Sequence, residues 1–153
     1  MRTPIFRVAV VLALAIVGLT FASTADQSEV EAIQSLLLES YVHGAFNELD
    51  PDAMKRGFHE DFAIFSADGE SIRRYPIANW VENTAKRKAN ADFDPAKNKW
   101  QHEFVSVRVN GRAASVELNL SKNGKLVYTD YLSLLKFDSG WRVVAKVYHE
   151  HGR

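Results

Sequence analysis

Three short turn signals constrain this chain more than any other feature. Asn110-Gly111, Asn123-Gly124 and Asp138-Ser139-Gly140 punctuate its C-terminal part, and between them apolar residues recur with a period of two. An Asn-Gly pair supplies the two central residues tolerant of positive φ that a tight hairpin of the right twist requires. Asp-Ser-Gly makes a three-residue loop with glycine at the left-handed position. The pattern predicts a four-stranded antiparallel meander over residues 99–109, 112–122, 125–137 and 141–150.

Upstream the period lengthens to that of a helix. Val30, Ile33, Leu37 and Tyr41 share one face behind the capping box Ser28-Glu29-Val30-Glu31, which predicts a helix over residues 29–46. Asp50-Pro51 reads as an N-cap with proline at the first helical position, opening a short helix that stops at Gly57. A turn and short strand follow over residues 58–65, closed by Asp68-Gly69. Pro76 opens a third helix with Ile77, Trp80 and Val81 on one side. Its end, Lys86-Arg87-Lys88, suits the negative pole of the helix dipole and reads as a solvated terminus.

The N-terminal segment is set apart from this fold. Arg2 and Arg7 precede an uncharged run, Val8 to Thr24, with small residues at Ala22, Ser23 and Ala25. That is the pattern of a secretory signal peptide. The strongly apolar part, Val8 to Phe21, is 14 residues, short of the ~20 that a membrane-spanning helix needs. We therefore expect a signal peptide over residues 1–25, cut after Ala22 or Ala25, and one domain over residues 26–153. The mature domain would be periplasmic or secreted, with no stable membrane anchor. The chain has no cysteine, so its core alone must hold it. Lysine plus arginine and aspartate plus glutamate balance at 19 each, which leaves no basic footprint for nucleic acid.

Hairpin lengths set the strand register and hence the faces of the sheet. On the simplest register, Val105, Val107, Val116, Leu118, Leu120, Tyr131, Leu135, Trp141, Val143 and Val147 face the helices, with Gln101, Glu103, Thr129, Ser133 and His149 as polar residues among them. The opposite, outer face carries Trp100, Phe104, Tyr128, Leu132, Leu134, Val144 and Tyr148, an apolar stripe suited to homodimerisation. Asp130 and Lys146 lie diagonally on that outer face and read as a cross-strand ion pair. A bulge in any strand would reverse the assignment beyond it.

Two stretches resemble a known family. The run from Tyr128 to Tyr148, with its Asp138-Ser139-Gly140-Trp141 turn, is similar to the C-terminal hairpin of the putative lumazine-binding family in the nuclear transport factor 2-like superfamily. Gly57-Phe58-His59-Glu60-Asp61-Phe62 is similar to that family's histidine–any–aspartate turn after its second helix. The resemblance implies an α+β, cone-shaped fold of the SnoaL-like type, in which N-terminal helices cover the curved meander plus a short additional strand and enclose one pocket. The superfamily includes ketosteroid isomerases, polyketide cyclases, dehydratases and non-catalytic binders, so the resemblance does not choose a reaction.

The isomerase-like members set an acid or base beside a tyrosine in an apolar pocket. The candidates for catalysis here are Glu103, Asp61 and Tyr131. Glu103 would act as a base if desolvated, or be structural if it lies at the rim or pairs with His149. Ligand contacts are expected from Tyr41, His59, Trp80, Gln101, Thr129 and His149. His59 and Asp61 are equally explained by turn hydrogen bonding, and Trp80 by core packing. His149 and His151 have no second pair of ligands near them in sequence, so no metal site is expected; no phosphate loop or dinucleotide fingerprint occurs, and no cofactor is expected. The leading expectation is an exported, non-catalytic binder of a small hydrophobic or aromatic molecule. A cofactor-free isomerase, cyclase or dehydratase, and a homodimeric interaction module, are the alternatives.

Overall fold

The computed structural model describes residues 24–152. The expected signal peptide lies outside them but for Thr24 and Ala25. Helix α1 (Thr24–Leu37) runs into a π-helical segment (Leu38–Asn47), followed by α2 (Pro51–Gly57), β1 (Phe58–Asp68), β2 (Ser71–Pro76), α3 (Ile77–Lys88), β3 (Trp100–Asn110), β4 (Ala113–Lys122), β5 (Lys125–Phe137) and β6 (Gly140–Glu150). None of the described helices is long and apolar enough to cross a membrane.

The helical layer follows its sequence signals closely. Ile33, Leu37 and Tyr41 are fully buried, as their spacing requires. Asp50 caps α2 by accepting the amides of Asp52 at 3.0 Å and Ala53 at 3.2 Å. Helix α1 begins upstream of the capping box, because no glycine or proline in Thr24–Gln27 stops it and Asp26 favours its first turn. From Leu38 the winding widens, and the Glu48 amide donates to the His43 carbonyl, five residues back, at 2.8 Å. Tyr41 and Phe46, five apart, then meet edge to face with ring centroids at 5.2 Å.

All six strands form one sheet in the order β2-β1-β6-β5-β4-β3. β1 runs parallel to β6, and every other neighbouring pair is antiparallel. The three glycine turns join β3 to β6 as expected. The chain also turns at Asp68-Gly69, with Gly69 at φ 62°, and returns as β2, which the sequence reading did not anticipate. β2 is an exposed edge whose Arg73 and Arg74 discourage further strand pairing, and it shows no alternating burial to announce it.

Three bulges correct the expected faces. Val105, Val127 and Val144 are each an extra residue: Phe104 pairs with Leu118 but Ser106 with Glu117, Tyr128 with Leu120 but Leu126 with Ser121, and Leu134 with Val143 but Ser133 with Ala145. Each insertion turns the residues beyond it over. β4 keeps its predicted face, with Val116, Leu118 and Leu120 buried. On β5 it is Leu132 and Leu134 that are buried, at 1% exposure each, whereas Tyr131 and Val147 are 48% and 50% exposed. Trp100, Phe104 and Tyr128 pack against the core. The stripe expected to join two copies therefore belongs largely to the interior of the fold.

One contact ties α1 to the far end of the sheet. The Glu29 carboxylate accepts the indole N–H of Trp141 at 2.6 Å and pairs with the Lys136 ammonium. The Lys136 and Trp141 hydrogen bonds hold the Glu29 carboxyl below the usual glutamate range. A lowered folded pKa gives stability that is present above the ordinary glutamate value and lost as the pH falls through the folded one. The melting-temperature advantage of wild type over Glu29→Gln should accordingly shrink below about pH 4.5. An advantage that persists undiminished to about pH 3 would show that this contact does not tether the helix.

Candidate functional site

Three ionisable side chains meet beneath the helices. Asp130 on β5 and Lys146 on β6 point from the concave face of the sheet toward Tyr41 in the π-helical segment. The Tyr41 hydroxyl donates to Asp130 Oδ2 at 2.6 Å and accepts from Lys146 Nζ at 2.7 Å. Nζ lies 2.8 Å from Asp130 Oδ1, an ion-pair distance without good hydrogen-bond alignment. The side chains of Asp130 and Lys146 are 0% and 5% exposed. The ammonium thus donates to one oxygen, that of Tyr41, and is charge-paired with Asp130.

Burial sets the electrostatics. Desolvation pushes the Lys146 ammonium below the ordinary lysine value, against the opposing negative charge of Asp130. Desolvation and then the negative charge of Asp130 hold the Tyr41 phenol well above its ordinary value, so it stays a protonated donor. The lysine is thus more readily freed of its proton than a surface lysine, and the tyrosine keeps its own.

Aromatic rings surround the ammonium. Nζ stands 4.9 Å from the ring centre of Tyr148, 5.2 Å from Tyr41 and 5.6 Å from Trp80. Beside it opens a pocket of about 370 Å³ between α3, β1, β2 and the concave sheet. Phe46, Trp80 and Tyr128 supply walls, Lys146 the floor, and Arg73 and Arg87 the rim. Arg73 is engaged by Asp68 at 2.9 Å. The size suits a small organic ligand.

The residues singled out from sequence divide sharply. Tyr41 and Trp80 lie in this region, their ring centroids 5.9 Å apart. Glu103, Gln101, Thr129, Tyr131 and His149 do not; the bulges put them on the outer face. There Glu103 accepts from the Asn119 amide at 3.2 Å, and Thr129 donates to Asn119 Oδ1 at 2.8 Å and lies 2.9 Å from His151 Nε2. Glu103 and Tyr131 consequently have no access to the concave pocket as the base and donor they were expected to be. His59 and Asp61 sit in the irregular stretch of β1 between Phe58 and Ala63. The Asp61 amide donates to His59 Nδ1 at 3.1 Å and the imidazole stacks on Phe137, so both are accounted for by local structure. Asp130 and Lys146 were read as an ion pair, and they are one, but an interior one. Their signal was in the sequence: two charges flanked on alternate positions by Tyr128, Leu132, Val144 and Tyr148. Among the described residues, no group of three or more His, Cys, Asp or Glu side chains is placed to hold a metal ion.

A long curved sheet roofed by N-terminal helices, with a pocket between them, agrees with the fold implied by the resemblance. The family described as putative lumazine-binding matches residues 28–149. The chain belongs to that family. This family member is also similar to two solved nuclear transport factor 2-like proteins of unknown function. One, from Shewanella baltica, is 24% identical at a TM-score of 0.66, over 87% of this chain and 100% of that one. The other, from Silicibacter pomeroyi, is 22% identical at a TM-score of 0.64, over 82% and 98%. Both likenesses are of fold alone. Among characterised proteins the chain is similar to the aldolase FrzH of a Cladobotryum species, 28% identical over 101 residues, which make up 65% of this chain and 74% of that protein.

Proposed function

We propose that this lumazine-binding-family protein binds a small, flat, carbonyl-bearing molecule in the pocket under α3, with Lys146 as its polar anchor and Arg87 attracting a negative group at the mouth. The observation that carries this reading is the position of Lys146, a buried ammonium that pairs with Asp130, donates to Tyr41 and lines the aromatic pocket. A flat unsaturated ligand can stack on Trp80 and Tyr128 while one of its oxygens accepts from the ammonium. The family description, which names lumazine as a ligand, supports a planar occupant, and the aldolase relative supports a carbonyl group.

Titration of the protein with lumazine, with 4-formylbenzoate and with the methyl ester of 4-formylbenzoate, followed by quenching of tryptophan fluorescence, tests the proposal. Saturable quenching by at least one of these compounds is expected. The carboxylate should bind more tightly than its ester, and Arg87→Gln should narrow that difference by a few-fold, as befits an exposed, salt-screened charge. If none of the three quenches or stabilises the protein, the pocket is not a site for such ligands.

A further inference from the structure

We propose that Lys146 forms a covalent iminium with an aldehyde or ketone bound in the aromatic pocket. This rests on the reading that the pocket takes a carbonyl compound, and adds that the protein reacts with it. The geometry supplies each part of the chemistry. The amine ends the pocket with its side chain only 5% exposed, and the rings of Tyr148, Tyr41 and Trp80 stand around it. Asp130, 2.8 Å away, is placed to take the proton that must leave before the nitrogen lone pair can attack. Tyr41, bonded to both groups, is placed to pass a proton onward.

The step balances without any co-reactant. The Lys146 ammonium gives one proton to Asp130; the freed amine adds to the carbonyl carbon, forming the C–N bond as the C=O π bond breaks; and the resulting oxyanion takes a proton from the new ammonium nitrogen to give a neutral carbinolamine. The proton held by Asp130, relayed through Tyr41, then lets the hydroxyl leave as water while the nitrogen lone pair closes the C=N bond. Ammonium plus carbonyl has become iminium plus water, and the site's charge is unchanged. The iminium cation keeps the place of the ammonium opposite Asp130, so the buried carboxylate is never without a counter-charge. An ammonium pointing into open solvent would have no such compensation.

Borohydride trapping tests this on the intact chain. The protein is incubated with 4-formylbenzoate near neutral pH, reduced with sodium borohydride, digested, and mapped by mass spectrometry. The expected product is a single secondary amine on Lys146, heavier by the mass of the probe less one oxygen atom. It should form faster there than on exposed lysines such as Lys125, because burial lowers the pKa of the Lys146 ammonium. Tyr41→Phe, which retains the amine and the ring, should slow the adduct at Lys146 while leaving adducts at exposed lysines unaltered. Adducts spread over exposed lysines with Lys146 unmodified would overturn the proposal. Should the probe quench fluorescence saturably yet leave Lys146 bare, the covalent step falls while the binding reading stands; failure of both quenching and trapping removes both.

Discussion

Lys146→Met is expected to cost the fold about 3–5 kcal/mol, the penalty of stranding a buried charge by removing its partner. Methionine matches the lysine stem in length, so packing is little altered and the loss comes from Asp130, which is left at 0% exposure facing the Tyr41 hydroxyl alone. The more telling comparison is Lys146→Met combined with Asp130→Leu and Tyr41→Phe. Three apolar groups of similar shape replace the polar triad, and continuum reasoning and precedent for buried ion pairs place such variants at or above wild-type stability. Urea midpoints for wild type, single and triple variants would decide it. A single variant within about 1 kcal/mol of wild type would mean that the pair is not the strongly coupled interior unit described above. Recovery in the triple variant carries a further implication: a triad that is not needed for stability is retained at a cost, as expected of groups that serve a ligand.

Gly57→Ala is the second large effect. A Cβ at this position would lie 2.0 Å from Ser40 Oγ and 2.2 Å from Ser40 Cβ. The hydroxyl can swing aside, but Ser40 Cβ is fixed to the π-helical backbone, so α2 and that segment would have to separate. Gly57 is not among the positive-φ glycines, so its backbone does not itself demand glycine. The requirement is for space. A loss of about 3 kcal/mol is expected, at the upper end of overpacking penalties. Ser40→Gly in the same chain removes both clashing atoms, along with the Ser40 Oγ hydrogen bond to the Leu36 carbonyl at 2.6 Å. A double-mutant cycle should show strong favourable coupling between the two changes. Additive losses would place the damage elsewhere.

Much of the architecture was legible because local chemistry decides it. Asp50-Pro51 and Gly57 bound a helix by capping and by space, and the three glycine turns fix where β3 to β6 begin and end. That Tyr41 and Trp80 face the interior was legible because helical spacing carries a face over several turns. Sheet faces were less secure, since one inserted residue inverts everything after it, and valines do not announce that they are bulged. Val105, Val127 and Val144 each look like ordinary strand residues. β5 made the inversion invisible, because Tyr131 and Leu135 are as apolar as Leu132 and Leu134 on the alternate face. Asp130 and Lys146 then read as surface charges, which charges almost always are. The wrong faces supplied Glu103 and Tyr131 as site residues and hid Lys146, the floor of the pocket, with its buried partner Asp130.

The π-helical winding bears on how this chain could differ in length from a relative. In ordinary α-helical winding, residues five apart point about 140° away from one another, yet the rings of Tyr41 and Phe46 touch. Residues four apart would meet there without any widening. One residue between Tyr41 and Phe46 is therefore surplus, and the helix absorbs it as slack instead of passing it on as rotation. A shorter relative could drop that residue, tighten into a regular helix and still keep the two rings in contact. A deletion within α1 itself would turn Ile33 and Leu37 away from the face they share with Tyr41, so a gap between natural variants belongs in this one stretch of the helix.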